Sequence, residues 1–330
     1  MIKTIEWIWQ FESHPVADGD VAGQVFETMV GGHPATVHLP TVVVWQTIDS
    51  ERDELYLAPS TVNEITDQLI PPDWGYVRQR AGNQPVAIAF HGVVLKVEAD
   101  CHDSREFNQL AQELVDASTE WQQTVEAWIE VSTGQVLTRI GHQPTIRIGC
   151  VTHIWERSGA NGGIQRLAIP TSADFPATTT TPAVTRDSLH RCFELAGKRV
   201  RPALAWMLIR DARSLNAAGQ HRRAIIDAGS AAEIAVKQLI RSQLSSTPDE
   251  LVDKLANATL GQSLDTLKLA GWLPPAGLNL RSDLVTPRNQ VVHLKSSSTD
   301  APSDQAATSA IRAATALVES AFPHPQGLVS

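Results

Sequence analysis

The chain has 330 residues, 42% of them hydrophobic and 19% charged, a composition that excludes a largely disordered protein. That length is more than one ordinary core supports and favours two domains. The net charge of −9 hides an asymmetry: residues 1–180 hold 10 basic against 23 acidic side chains (−13), a poor grip for a phosphate backbone, whereas residues 181–330 hold 17 against 13 (+4) and suit a polyanion.

The opening M-I-K-T-I-E-W-I-W-Q-F-E lacks the long apolar core and cleavage site of a signal peptide. The longest apolar run, residues 203–209, is far short of the ~20 needed to cross a bilayer, so the expectation is a cytoplasmic protein with no membrane contact. Ile5, Trp7, Trp9 and Phe11 alternate with Glu6, Ile8 and Gln10, the period of two that puts one face of a strand on a core. More strands are expected at 35–47 and 55–58, and at 86–90 and 93–98 as a hairpin about His91-Gly92. His33 and His38 lie in G-G-H-P-A-T-V-H-L-P, where Gly and Pro preclude a helix and no third ligand stands nearby, so no metal site is expected there. Cys101-His102-Asp103 reads as a turn, because neighbouring side chains of an extended chain alternate in direction.

A helix is expected from Ser104 to about residue 130, with Phe107, Leu110, Leu114, Ala117, Trp121, Val125 and Trp128 inward and Ser104 at its start. Strands at 145–155 and 164–169 flank the turn signal S-G-A-N-G-G. Seven of the nine tryptophans lie in this part, which reads as a β-core rather than an aromatic ligand box. Cys101, Cys150 and Cys192 are odd in number and widely spaced, which argues against a disulfide framework and a thiolate zinc site. Residues 171–186, rich in Pro and Thr, read as a linker between a β-rich domain (1–170) and a helical one (187–330).

After the linker, helices are expected at 187–200, 202–218, 221–242, 248–270, 275–294 and 302–321, an antiparallel bundle. The fold class is α+β. In the third helix Ile225, Ala228, Gly229, Ala232, Ala235, Val236 and Leu239 make a narrow stripe of mostly small side chains that admits a close neighbour. Glu233 sits at the edge of that stripe. It either pairs with Lys237 at i,i+4 or orients a cation at the bundle surface. The fifth helix contains T-P-R-N-Q-V-V-H-L-K, residues 286–295, in which Pro287 either starts a helix capped by Thr286 or kinks a longer one. An imidazole moves protons at neutral pH and a guanidinium offers a fork of donors to phosphate, so Arg288 and His293 could act on a phosphodiester if they converged.

A helical bundle bearing G-Q-H-R-R-A-I-I-D-A-G-S-A-A-E-I-A-V-K-Q-L-I and then R-N-Q-V-V-H resembles the HEPN superfamily, whose signature is R-x(4–6)-H. The resemblance covers about residues 187–321 and implies a metal-independent endoribonuclease with no cofactor and a composite active site in a homodimer. It casts His293 as general acid or base, Arg288 as the phosphate ligand, Asn289 as a geometric support and Glu233 as support behind them. Products would carry 2′,3′-cyclic phosphate or 3′-phosphate and 5′-hydroxyl ends, and DNA would resist cleavage. Such proteins commonly serve as toxins or anti-phage effectors behind a variable sensing domain, here the β-rich part responding to a protein or ligand trigger. RNA backbone contacts are expected from the basic cluster Lys198, Arg199, Arg201, Arg210, Arg213, Arg222 and Arg223. The duller readings put Val291, Val292 and Leu294 in the core and Arg288 and His293 in solvent, leaving a non-catalytic dimerisation or nucleotide-binding module, or a regulatory subunit that neutralises a partner.

Overall fold

A computed structural model describes residues 2–45, 54–58, 74–100, 102–141, 153–158, 163–168, 182–245, 255, 258–273, 278–293 and 302–328. The architecture is mixed α+β, antiparallel sheets first and helices after. Strands β1 (Ile2–Gln10), β2 (Val16–Asp18), β3 (Val25–Val30), β4 (His33–His38), β5 (Thr41–Trp45), β6 (Glu54–Ala58), β7 (Gly75–Ala81), β8 (Gln84–Phe90) and β9 (Gly92–Asp100) form two sheets. One is ordered β1-β9-β4-β3 and the other β2-β8-β7-β6-β5. The pair β10 (His153–Ser158) and β11 (Gly163–Ala168) runs antiparallel in the expected place, while the turn between them and most of the 171–186 linker lie outside the described residues.

Two strand expectations are corrected. The run 35–47 is not one strand but β4 and β5, in different sheets, broken at Leu39-Pro40 where proline offers no ladder donor. The sequence about His91-Gly92 is likewise a crossing between sheets, not a hairpin turn: β8 pairs with β2 and β7, β9 with β1 and β4. The ring of Trp74 packs against Gly92, where a Cβ would lie 2.9 Å from it, so a larger residue would be driven out of the crossing. The expected strand at 86–90 is present as the end of β8, where Ile88, Ala89 and Phe90 are buried in succession.

Helix α1 (Ser104–Thr133) is capped by Asp103, whose carboxylate takes the N–H groups of Arg105 and Glu106, so the cap falls one residue before the expected Ser104. Leu114, Trp121, Val125 and Trp128 are buried as the spacing requires. The helices after the linker are α2 (Arg186–Gly197), α3 (Leu204–Ala217), α4 (His221–Gln243), α5 (Leu260–Leu269), α6 (Thr286–His293) and α7 (Asp304–Ala321). The expected helix at 248–270 is not continuous: Thr259 and Gln262 form a capping box that starts α5 afresh. The entire small-residue stripe of α4 is buried.

The sheets and helices share one buried cluster. Phe193 of α2 stacks on Trp121 of α1 and contacts Phe26 of β3. The Thr28 hydroxyl donates to the Phe193 carbonyl at 2.8 Å and accepts from Trp121 Nε1 at 3.0 Å. Trp128 Nε1 donates to the Val200 carbonyl at 2.7 Å, and Gln135 Nε2 ties the carbonyls of Val16 and Pro182. Val184 adds a parallel bridge to Ala17.

Candidate functional site

Helix α6 continues a π-helical turn, Arg281–Val285, in which the Thr286 N–H bonds the Arg281 carbonyl five residues back. Thr286 is itself helical, so it is not an N-cap, and Pro287 lies within a longer helix that starts at Leu280. A wide turn relieves the clash of the pyrrolidine ring with the preceding turn and tolerates its missing donor. Val291 is buried, but Val292 is 44% exposed, so of the core positions in the duller reading only Val291 is seen there; Leu294 lies outside the described residues.

Arg288 leaves this helix across α4 at Gly229. A Cβ at position 229 would lie 2.7 Å from Arg288 Cγ, so only glycine leaves room for the aliphatic stem. One turn further along the same face of α4, Glu233 Oε1 accepts from Arg288 Nη2 at 2.7 Å. Of the two partners open to Glu233, a neighbouring Lys237 or another cation, the bond seen is to the Arg288 guanidinium. Arg288 Nη1 also reaches Asn289 Oδ1, at a long 3.4 Å. Beside the ion pair lies a pocket of about 250 Å³ lined by Glu233, Lys237, Thr259, Ser263 and Arg288. Asn289 and His293 are exposed on α6, and His293 does not line that pocket. One chain therefore gathers Glu233 and Arg288 and leaves His293 outside.

The members of the basic cluster differ in their partners. Arg199, at φ 55°, is exposed past the end of α2, and Arg201 pairs with Glu120 of α1 at 2.9 Å. Arg210 bonds Asp211 at 2.6 Å and lies 3.7 Å from Glu130. Arg213 donates to the Glu130 carbonyl, and burial pulls its guanidinium down from the usual range while the Glu130 charge opposes this. Arg222 donates to the Val291 carbonyl at 3.0 Å, fastening the end of α6 to the start of α4, and Arg223 bonds Gln220. Arg210, Arg213 and Arg222 thus serve internal contacts.

Sequence reasoning missed an acidic cluster under α3. Glu130 is 1% exposed and accepts from the Leu137 and Thr138 N–H groups and the Thr138 hydroxyl. Burial raises its carboxyl, while those bonds and Arg210 oppose the rise. Burial also pushes Glu126 up to about 7, against its bond from Gln122. The one available signal was that Glu126 and Glu130 fall at i,i+4 beside the inward Val125 and Trp128. Among the described residues no three or more His, Cys, Asp or Glu side chains gather so as to hold a metal ion, and no helix is long and apolar enough to cross a membrane.

No family model, curated protein or solved structure matches this chain.

Proposed function

We propose that this protein is a metal-independent endoribonuclease whose active site is completed when two copies pair through their helical parts, and whose β-rich part regulates it in response to a protein or ligand trigger. The single observation that carries the reading is the Glu233–Arg288 pair, which fixes a guanidinium beside an open pocket five residues before an exposed histidine. In this scheme Arg288 binds the scissile phosphate and stabilises the charge that grows on it. His293 takes the proton of the ribose 2′-hydroxyl or returns one to the leaving 5′-oxygen, and Asn289 steadies the group by hydrogen bonding. Glu233 positions Arg288. Because His293 lies outside the pocket of its own chain, a two-fold axis along α6 is the economical way to bring a His293 to each Arg288. A toxin or anti-phage role in the cytoplasm suits such an enzyme.

The test incubates the full-length protein with single-stranded RNA in EDTA, beside Arg288→Ala and His293→Ala variants whose folding is checked by circular dichroism. Cleavage by the wild type and by neither variant is expected, with 2′,3′-cyclic phosphate or 3′-phosphate ends and with DNA untouched. Equal cleavage by all three sinks the site. The separation of His293 from the pocket favours one other reading, a non-catalytic module for dimerisation or nucleotide binding. RNA or nucleotide binding without cleavage, in a dimer, would select it.

A further inference from the structure

The pocket beside the Glu233–Arg288 pair contains more binding chemistry than that pair uses. Lys237 follows Glu233 by four residues, so it rises from the same face of α4 one turn on, and it lines the pocket. Among the described residues no carboxylate pairs with it. From α5 comes Ser263, only 3% exposed, whose hydroxyl reaches its one acceptor, the Ala258 carbonyl, at 3.5 Å. That is long against the roughly 2.5–3.0 Å of an O–H···O bond, so the hydroxyl is held only weakly where it is. Thr259 is different, since its hydroxyl is already committed to Gln262 Oε1 at 2.9 Å, and it serves as wall.

Two cations against one carboxylate leave the pocket with one excess positive charge. Lys237 and Arg288 offer donors only and the Ser263 hydroxyl can donate as well, so a ligand that accepts hydrogen bonds and carries negative charge complements them. A pocket of about 250 Å³ is several times the roughly 30 Å³ of a water molecule, room for a phosphate and part of the sugar attached to it. We infer that this pocket is a phosphate subsite, in which Lys237 and Arg288 hold non-bridging oxygens and the Ser263 hydroxyl donates to one of them. While the pocket is empty, Glu233 keeps Arg288 in place; an arriving phosphate shares the guanidinium with it. That the phosphate is the one cut in RNA rests on the ribonuclease reading, whereas binding of the anion does not.

The experiment titrates inorganic phosphate into the full chain at constant ionic strength and follows the thermal unfolding midpoint, for the wild type and for Lys237→Gln, Ser263→Ala and His293→Ala. A ligand that binds only the folded state raises the midpoint saturably. The wild type and His293→Ala are expected to show the same rise, Lys237→Gln to need about tenfold more phosphate and Ser263→Ala an intermediate amount. No saturable rise in the wild type, or a Lys237→Gln curve that overlays it, overturns the subsite. With RNA as the second arm, Lys237→Gln is expected to raise KM by about the same factor with kcat little changed. An unchanged KM removes RNA from the pocket. Lys237-dependent phosphate binding in a protein that cleaves no RNA keeps the anion site and discards the ribonuclease.

Discussion

Arg288 Nη2 and Glu233 Oε1 stand 2.7 Å apart although 55 residues separate them in the chain. Both side chains keep about a third of their surface, 28% and 32%, so the bridge stabilises the fold by only about 1 kcal/mol or less. Its main effect is to fix the direction of the guanidinium. Glu233→Gln is therefore expected to leave the unfolding midpoint almost unchanged and, on the proposed ribonuclease reading, RNA affinity no weaker, while kcat falls about tenfold or more. A purely structural pair would leave kcat alone, and steady-state kinetics with the midpoint measured on the same preparations tells the two apart.

Gly229→Ala sets two effects against each other. Alanine in mid-helix is favoured over glycine by about 1 kcal/mol. The new methyl would sit 2.7 Å from Arg288 Cγ, near the root of that side chain, and relieving such an overlap costs about 1–3 kcal/mol. Net stability should move by no more than about 2 kcal/mol, but Arg288 must leave Glu233. On the proposed ribonuclease reading the expected outcome is a folded protein that has lost most RNA cleavage; a variant with wild-type kcat would show that the Arg288 stem can shift without consequence.

Acidity should stabilise the chain through Glu126. Its carboxyl is pushed up to about 7 by burial, with Glu130 and Glu12 adding to the rise and Gln122 and Arg210 opposing it, against an ordinary 4.5. Between those two values the native state holds more protons than the unfolded one, so this group's contribution to stability falls as pH rises from about 4.5 to 7 and is flat above. The full span corresponds to about 3 kcal/mol. Glu126→Gln should flatten that slope and raise the midpoint at pH 8, as an unfolding series from pH 5 to 8 would reveal. Parallel wild-type and variant curves would exclude Glu126 as the source.

How much of this was legible follows from which interactions are local. The α4 stripe, the inward face of α1 and the strand β1 were readable because their periods are properties of single elements. That Glu233 orients a cation was open as one of two possibilities, but Arg288 was not named as that cation, since residue types name a capacity for bonding and not a partner. The break at Leu39-Pro40 and the crossing at His91 were hidden because strand propensity is the same in either sheet; which sheet a strand joins is decided by remote contacts such as Trp74 on Gly92. The partners within the basic cluster were hidden in another way. Charge counts cannot show that Arg210 and Arg213 face Glu130, on a helix some 80 residues earlier.

Thr28 tests whether the β-rich and helical parts unfold as separate bodies. Its hydroxyl serves both sides at once, accepting from Trp121 Nε1 and donating to the Phe193 carbonyl. Thr28→Val keeps the shape and strands the buried Trp121 Nε1 donor, while the Phe193 carbonyl keeps its place in the α2 ladder, so the cost is about 1–3 kcal/mol. Because Phe193 also packs on Trp121 and Phe26, that loss is felt by α1, α2 and β3 together. One cooperative transition is expected by calorimetry, shifted downward as a whole in Thr28→Val. Two transitions, of which only one moves, would mean that these contacts do not couple the parts. The same contacts predict that removing residues 1–180 uncovers Leu189, Cys192 and Phe193 on α2 and deprives Arg210 and Arg213 of Glu130, so the isolated helical part should aggregate rather than act as an unrestrained enzyme.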